Sequence, residues 1–373
     1  MPSLRDKLNG YSAKSKPSPA RMQETRCYIR FDRTKRGDYA LPDVLESGML
    51  TELTGQILPD IPLEQLLFLD TETTGLSGGA GTVAFLVGMG YFENGQFLVQ
   101  QCLMRDYAQE GDLLEEVLLR LQKAAALVTF NGRVFDLPLL ESRLTMNRMK
   151  DRYTPLPHID LLPLARSIWR LRLRKCSLSA LEENVFGMKR QDDLPGALVP
   201  QTFFEFLKTK DMALIEPVLC HNCQDIKSLP DLMARLMSGF AAPDLLPHPQ
   251  DTFSVGRVME KRGNTEKAHR CYRAADRGGM SQLARLTLAD SLRRQKRFAE
   301  AAALYEKMVS AGQGGALPCI ALAKLYEHRF SDPERALEWT RKALARANPA
   351  DTKIMQDTQK RALRLLNKID RKG

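Results

Sequence analysis

The sequence predicts two folds in series: a mixed α/β domain with helices flanking a sheet, then an all-α domain. Three observations predict it. Residues 66–69 form a continuous apolar run, the mark of a strand buried on both faces. The stretch "TVAFLVGMGYFENGQFLVQQCLM" (82–104) gives two more strand patterns around Asn94-Gly95, a strong hairpin signal. After the proline-rich "FAAPDLLPHPQD" (240–251) the pattern is helical only.

The elements follow in chain order. "GDLLEEVLLRLQKAAA" (111–126) has helical periodicity, and "LVTFNG" (127–132) is a short strand ending in a turn. "FDLPLLESRLTMNRM" (135–149) and "DLLPLARSIWRLRLR" (160–174) look helical. "SLSALEENVFG" (177–187) is a short helix stopped by Gly187. "MALIEPVLCHNCQDIKSLPDLMARLM" (212–237) is a long helix predicted to bend at Pro217 and Pro230. Beyond the linker, "KAHRCYRAA", "EAAALYEKMV" and "RALEWTRKAL" align on Ala268, Ala301 and Ala336, at offsets of 33 and 35. These bracket the 34-residue period of tetratricopeptide helix pairs. Leu325-Tyr326 and Pro333 also fall where such repeats place them, and small alanines let paired helices approach closely. A generic helical bundle is the alternative. The boundaries read as an N-terminal arm at 1–38, the α/β domain at 39–240, a linker at 241–251 and a repeat domain at 252–373. The arm holds ten basic and four acidic residues, suiting either phosphate contacts or an unstructured lead-in.

Composition narrows the class. With 43% hydrophobic and 27% charged residues the chain is an ordinary globular one. No apolar stretch approaches the ~20 residues of a membrane helix. The start, "MPSLRDKLNGYSAKSKPSPARMQ", lacks the apolar segment of a secretory signal, so a cytoplasmic location and no membrane partner are expected. Seven scattered cysteines argue against a disulfide framework. Cys220 and Cys223 form a C-x-x-C around His221, but no second pair completes a zinc site, and packed thiols are the simpler account. From residue 251 onward there are 26 Lys and Arg against 14 Asp and Glu, whereas the rest is nearly balanced. A basic module suggests a polyanion partner; a solvated helical surface is the bland alternative.

The stretch "FLDTETTGLSGGAG" (68–81) carries the chemistry. On a strand, residues i and i+2 point the same way, so Asp70 and Glu72 share a face. Two adjacent carboxylates repel and raise each other's pKa, which makes sense if a divalent cation sits between them. The glycines at 75, 78, 79 and 81 let the chain turn sharply. Two further carboxylates stand in suggestive settings. Asp136 follows the strand-turn "TFNG" and opens a helix. Asp225 lies four residues after His221, on the same helix face.

"FLDTETTG", "TFNGRVFDLPLL" and "HNCQDIKSL" resemble the three motifs of DEDD-type 3′–5′ exonucleases in the ribonuclease H-like superfamily. "TETTGLSGGAGTVAFLVGMGYF" and "DDLPGALVPQTFFEFLKTKD" are similar to stretches of its YprB-like bacterial group, over about residues 60–240. The resemblance implies that Asp70, Glu72, Asp136 and Asp225 close around two Mg²⁺ or Mn²⁺ ions. It further implies hydrolysis of phosphodiesters at a 3′ end of DNA or RNA, with His221 taking a proton from the attacking water. The spacing departs from the pattern: the usual His position, five residues before the last Asp, holds Cys220 here. Thr71, Thr74 and Asn131 are candidates to touch substrate, or to bond within their own turns. Asp160 suits a helix N-cap or a supporting role. Arg166, Arg170, Arg172, Arg174 and Lys175 suit a phosphate track or a solvated helix face. Phe85, Phe130 and Phe135 suit base stacking but more simply a core, and Trp169 and Trp339 suit packing. The competing function is a non-catalytic nucleic-acid-binding scaffold whose repeats recruit a protein partner.

Overall fold

The computed structural model describes residues 26–75, 81–191 and 193–371. Contacts divide the chain into two compact units between Ala241 and Ala242.

The first unit is built on a six-stranded sheet in the order β1 (Tyr28–Lys35), β6 (Gln96–Leu103), β5 (Ala84–Glu93), β4 (Leu66–Thr73), β7 (Ala126–Thr129), β8 (His158–Asp160), while β2 (Val44–Leu45) and β3 (Ile61–Pro62) pair as a separate two-stranded sheet. Its centre is β4 (Leu66–Thr73), whose first four residues are buried. Antiparallel to it runs β5 (Ala84–Glu93), joined to β6 (Gln96–Leu103) by the predicted hairpin. Asn94 and Gly95 turn the chain with φ of 51° and 73°, the left-handed pair that a two-residue hairpin turn requires. α1 (Ser47–Thr54) precedes β4, and α2 (Glu110–Leu121) leads from β6 to β7 (Ala126–Thr129), which pairs parallel with β4. α3 (Asp136–Met146), β8 (His158–Asp160) and α4 (Leu161–Trp169) follow, with β8 parallel to β7. Next come the one-turn α5 (Leu178–Leu181), α6 (Val199–Thr209) and the 30-residue α7 (Met212–Ala241).

α7 lies against β4, β5 and β6. It can do so because β5 carries no side chain where the two meet. A Cβ on Gly88 would stand 2.3 Å from Asn222 Oδ1, and one on Gly90 would stand 2.7 Å from Ile226 Cγ2. Leu67, Leu69, Val87 and Met89 alternate with these positions and pack with Leu113, Val117 and Leu118 of α2. The sheet is therefore covered on both sides, which is why β4 reads as an unbroken apolar run.

Several expectations are corrected. The arm predicted at 1–38 does not extend to 38. Residues 28–35 form β1 (Tyr28–Lys35), an edge strand paired along its length with β6. Its burial alternates residue by residue, so its polar half reads as arm rather than strand. Residues 1–25 of the arm lie outside the described residues, as do 76–80 of the glycine loop. The long helix, by contrast, is found as one element: α7 runs continuously through both Pro217 and Pro230. Phe85 is core, stacked on Phe203 with ring centroids 3.8 Å apart, and Trp169 is buried. Phe135, by contrast, is 53% exposed.

The second unit is helical: α8 (Pro249–Lys261), α9 (Thr265–Ala274), α10 (Ser281–Arg294), α11 (Phe298–Ser310), α12 (Leu317–His328), α13 (Pro333–Arg346) and α14 (Thr352–Asp370). Each helix packs on its sequence neighbours. The linker predicted at 241–251 is shorter, because α8 begins at Pro249, where a proline is tolerated in a first turn. Ala268, Ala301 and Ala336 are fully buried and each is the fourth residue of its helix, α9, α11 and α13. The turns before those helices repeat as well: Gly263, Lys296 and Ser331 all have φ between 57° and 84°. The sequence period is thus a period of helix hairpins. Among the described residues no helix is long and apolar enough to cross a membrane. Ala301→Leu should overpack its hairpin and lower stability by ~1–3 kcal/mol, read as an earlier urea transition of the helical unit.

Candidate functional site

The site lies where β4 leaves the core. Burial along β4 changes from complete at Leu69 to partial from Asp70 onward. Asp70 pairs with Gly88 and Glu72 with Leu86, so both carboxylates face the α7 side of the sheet. The pairing then shifts register between Glu72 and Thr73, a bulge that re-aims the strand end beside the site. α7 supplies His221, Asn222 and Asp225 from one face. Asn222 is fully buried; its Nδ2 donates to Asp70 Oδ2 at 2.9 Å, while Gln101 Nε2 donates to its Oδ1 at 2.9 Å. Asp136, at the start of α3, is 6% exposed and accepts from Thr71 Oγ1 at 2.5 Å.

A segment between α5 and α6 completes the arrangement. Arg190 binds fully buried Glu182 through Nε and NH2, at 2.5 and 2.7 Å, and its NH2 also reaches Asp225 Oδ1 at 2.5 Å. Its NH1 reaches Asp193 Oδ2 at 3.2 Å. His221 Nδ1 lies 2.6 Å from Asp193 Oδ1, so that nitrogen carries a proton and donates it. Nε2 then faces Asp225 Oδ2 at 3.6 Å and Glu72 Oε1 at 4.0 Å. Asp70, Phe130, Arg190, Asp193, His221 and Asp225 line a cleft of about 360 Å³, with residues 177–179 along one side.

The electrostatics are those of crowded acids. Burial pushes Asp70 well above the usual carboxylate range, reinforced by Asp225, Asp136 and Glu72 and offset by the Asn222 bond. Burial raises Glu72 to about 8 against the pull of His221, and Asp225 and Asp136 add to the rise. Asp136 rises to about 6 by burial, moderated by Thr71. Burial also raises Asp225, against His221 and Arg190. Burial disfavours a charged His221, yet the Asp193 hydrogen bond and the charges of Asp225 and Glu72 outweigh it and lift the imidazole to about 9. Among the described residues no three His, Cys, Asp or Glu side chains already converge on one cation position. Asp70, Asp136 and Asp225 are instead turned onto Asn222, Thr71 and Arg190. The donor set still fits a hard divalent cation: oxygen ligands, largely dehydrated, whose carboxyl groups are raised chiefly by burial.

Of the other predicted residues, Thr71 spends its hydroxyl on Asp136. Thr74 Oγ1 accepts from Val83 N, closing its own loop. Asn131 adopts φ 71° and donates its backbone N–H to Asp160 Oδ1 at 2.8 Å. Asp160 is both the N-cap of α4, accepting from Leu162 N, and the anchor of the loop before Asp136, accepting from Asn131 N and Arg133 N. Cys220 and Cys223 sit on α7, beside Glu216 and Asp32 respectively, and form no metal centre among the described residues. Arg190, Asp193 and Asn222 were not singled out in the sequence. The first two belong to an irregular stretch without periodicity, and Asn222 differs from other helix residues only by what it touches.

The family model RNase_H_2, described as RNase_H superfamily, matches residues 67–237, so the unit that carries the acidic strand end is ribonuclease H-like. That membership points to a nucleic-acid-related function. The chain is 31% identical over 312 residues to "Uncharacterized protein YprB" of Bacillus subtilis (strain 168), covering 81% of this chain and 75% of that protein. It belongs to the YprB family. Among solved structures it is similar to the family B DNA polymerase of Pyrobaculum calidifontis, with 14% identity, a TM-score of 0.36, and coverage of 53% of this chain and 29% of the polymerase.

Gly88→Ala pushes Asn222 off Asp70 and should cost ~1–3 kcal/mol of stability while weakening Mn²⁺ binding in a calorimetric titration. In the metal-free folded chain Glu72 and His221 keep protons up to about 8 and about 9, which the unfolded chain releases near 4.5 and 6.5. The folded state therefore binds more protons between these values, and stability falls as pH rises from 4.5 through Glu72, and from 6.5 through His221 as well, until about 9. Scanning calorimetry in EDTA should show that decline. Mg²⁺, which competes with those protons, should raise the melting temperature more at the alkaline end than at the acidic end.

Proposed function

We propose that the chain is a metal-dependent nuclease that hydrolyses phosphodiesters of DNA or RNA as a DEDD-type 3′–5′ exonuclease. The observation that carries this reading is the acidic corner itself. Asp70 is buried within reach of the charges of Asp225, Asp136 and Glu72, and Glu72 within reach of those of Asp225 and Asp136, beside a braced histidine. Mg²⁺ or Mn²⁺ suits these oxygens, in the number of two that the family resemblance implies, and when bound supplies charge neutralisation at the phosphodiester and a more acidic water.

The remaining chemistry falls to the chain. Asp193 holds the proton on His221 Nδ1, so Nε2 is the nitrogen left to accept one. While the acids are bare, their field keeps His221 protonated. Once they are neutralised that field falls away, and the imidazole becomes free to act as a base. Arg190 fixes Asp225, and Asp160 fixes the turn that delivers Asp136. Thr71, Thr74 and Asn131 act in this reading by shaping loops and orienting Asp136 rather than by touching substrate. Phe130 offers the cleft a ring for stacking on a base. The helical unit acts as a tetratricopeptide-like array that docks a protein partner.

A non-catalytic scaffold is the second reading, favoured by the ion pair that already occupies Asp225. An assay on end-labelled single- and double-stranded DNA and RNA with Mg²⁺ or Mn²⁺ separates the two. The nuclease reading expects cleavage from the 3′ end that Asp70→Asn and Asp225→Asn abolish, and a rate lowered ~10²-fold or more by His221→Ala. Cleavage at the wild-type rate in either Asn variant overturns the site, and wild-type inertness on all substrates favours the scaffold.

A further inference from the structure

The acidic corner poses a problem of delivery. A polynucleotide must bring its phosphates to a cleft whose floor is a cluster of carboxylates, and Arg190, the guanidinium that lines it among the described residues, is taken. Arg190 already serves Glu182, Asp193 and Asp225. Attraction has to come from outside the floor.

One stretch of this unit has the required charge. Between Asp160 and Glu182 there is no acidic residue, while Arg166, Arg170, Arg172, Arg174 and Lys175 fall in ten consecutive positions. Arg166, Arg170, Arg174 and Lys175 are exposed. A face kept merely soluble mixes both signs, and a run of one sign creates a directed field. Cations at the end of α4 also suit the helix dipole, but that accounts for Arg166 in its last turn and Arg170 at its C-cap and not for Arg174 and Lys175 beyond it. Arg166 and Arg170 are four residues apart, so they stand on one face of the helix. Their charges reach Cys176, which bridges Lys175 to Ser177. Ser177, Leu178 and Ser179 line the cleft. The basic run therefore ends at the lip of the acidic site, three residues or ~10 Å of chain from Arg174 to Ser177.

Resting on the nuclease reading, we propose that this ridge, Arg166, Arg170, Arg174 and Lys175, is the track along which the backbone of a single-stranded polynucleotide enters the cleft. Contact is to phosphates and so independent of base sequence. The strand is single because a cleft of about 360 Å³ is at the small end of ligand pockets and has no room for a duplex.

The test uses the full chain, a fluorescein-labelled 20-nucleotide single strand and fluorescence anisotropy in Ca²⁺, across a salt series. Reversing the ridge (R166E, R170E, R174E, K175E together) should weaken binding at least tenfold and reduce the slope of log affinity against log salt by about 3, at ~0.7 per lost phosphate contact. The milder pair Arg170→Gln with Lys175→Gln, which leaves the helix and its packing alone, should reduce the slope by about 1.4 on the same basis. Manganese-dependent hydrolysis of bis(p-nitrophenyl) phosphate, too small to reach the ridge, should stay within twofold in both variants. Unchanged strand affinity in the Gln pair and the reversed ridge overturns the track, and the nuclease reading survives if the small diester is still cut. Weakened strand binding in the variants, with a wild type that cuts neither the small diester nor any end-labelled strand, keeps the track and removes the nuclease. A duplex bound as tightly as the single strand overturns the single-strand assignment.

Discussion

Like-charge crowding at the end of β4 is the constraint around which the first unit is arranged. An ionised carboxylate removed from water costs several kcal/mol unless something answers its charge, and here four of them are gathered within mutual influence. Each is answered differently. Asp70 has an amide, Asp136 a hydroxyl, Asp225 a guanidinium, and Glu72 faces an imidazole. None of these answers is complete, which is why the carboxyl groups remain raised. The absent Cβ at Gly88 belongs to the same arrangement, because it lets α7 come close enough for Asn222 to bridge Gln101 and Asp70.

The backbone skeleton of this arrangement was legible in the sequence, and the reasons are local. An apolar run that ends in D-x-E announces a buried strand with two acids on one face, because a strand's period is two. Asn94-Gly95 announces its hairpin because few other dipeptides adopt two left-handed conformations cheaply. The helical repeat was legible because the same alanine recurs at nearly the same interval, at positions the packing keeps fully buried.

What could not be read depends on partners distant in the chain. β1 shows half-burial along an edge, with charged residues on its strand, and its partner β6 lies some 70 residues away. β8 is three residues long, too short for any period. Arg190 and Asp193 occupy irregular backbone, where no spacing marks a side chain as facing inward, and both acquire meaning only beside α7. Asp160 looked like an ordinary helix cap and is one. Its second task, holding the turn before Asp136, exists only because β8 lies next to β7. Phe135 shows the converse: an aromatic beside a predicted acid reads as core, yet the turn that buries Asp136 leaves its neighbour in solvent.

The saturation of Arg190 decides how the two signs of charge are distributed over this unit. A guanidinium near a phosphodiester site is ordinarily the group that grips phosphate, because its fork matches two oxygens. Here the fork is closed on Glu182, with the remaining donors on Asp225 and Asp193. Releasing it to a ligand would strand fully buried Glu182 without its cation, a cost that one phosphate contact does not recover. Arg190 is therefore structural charge, holding the acids in place, and among the described residues lining the cleft no guanidinium is left to spare for a polyanion. Affinity for such a ligand has to reside in charge outside the floor, and chemistry in charge that is brought in. Binding and reaction are thereby assigned to different groups.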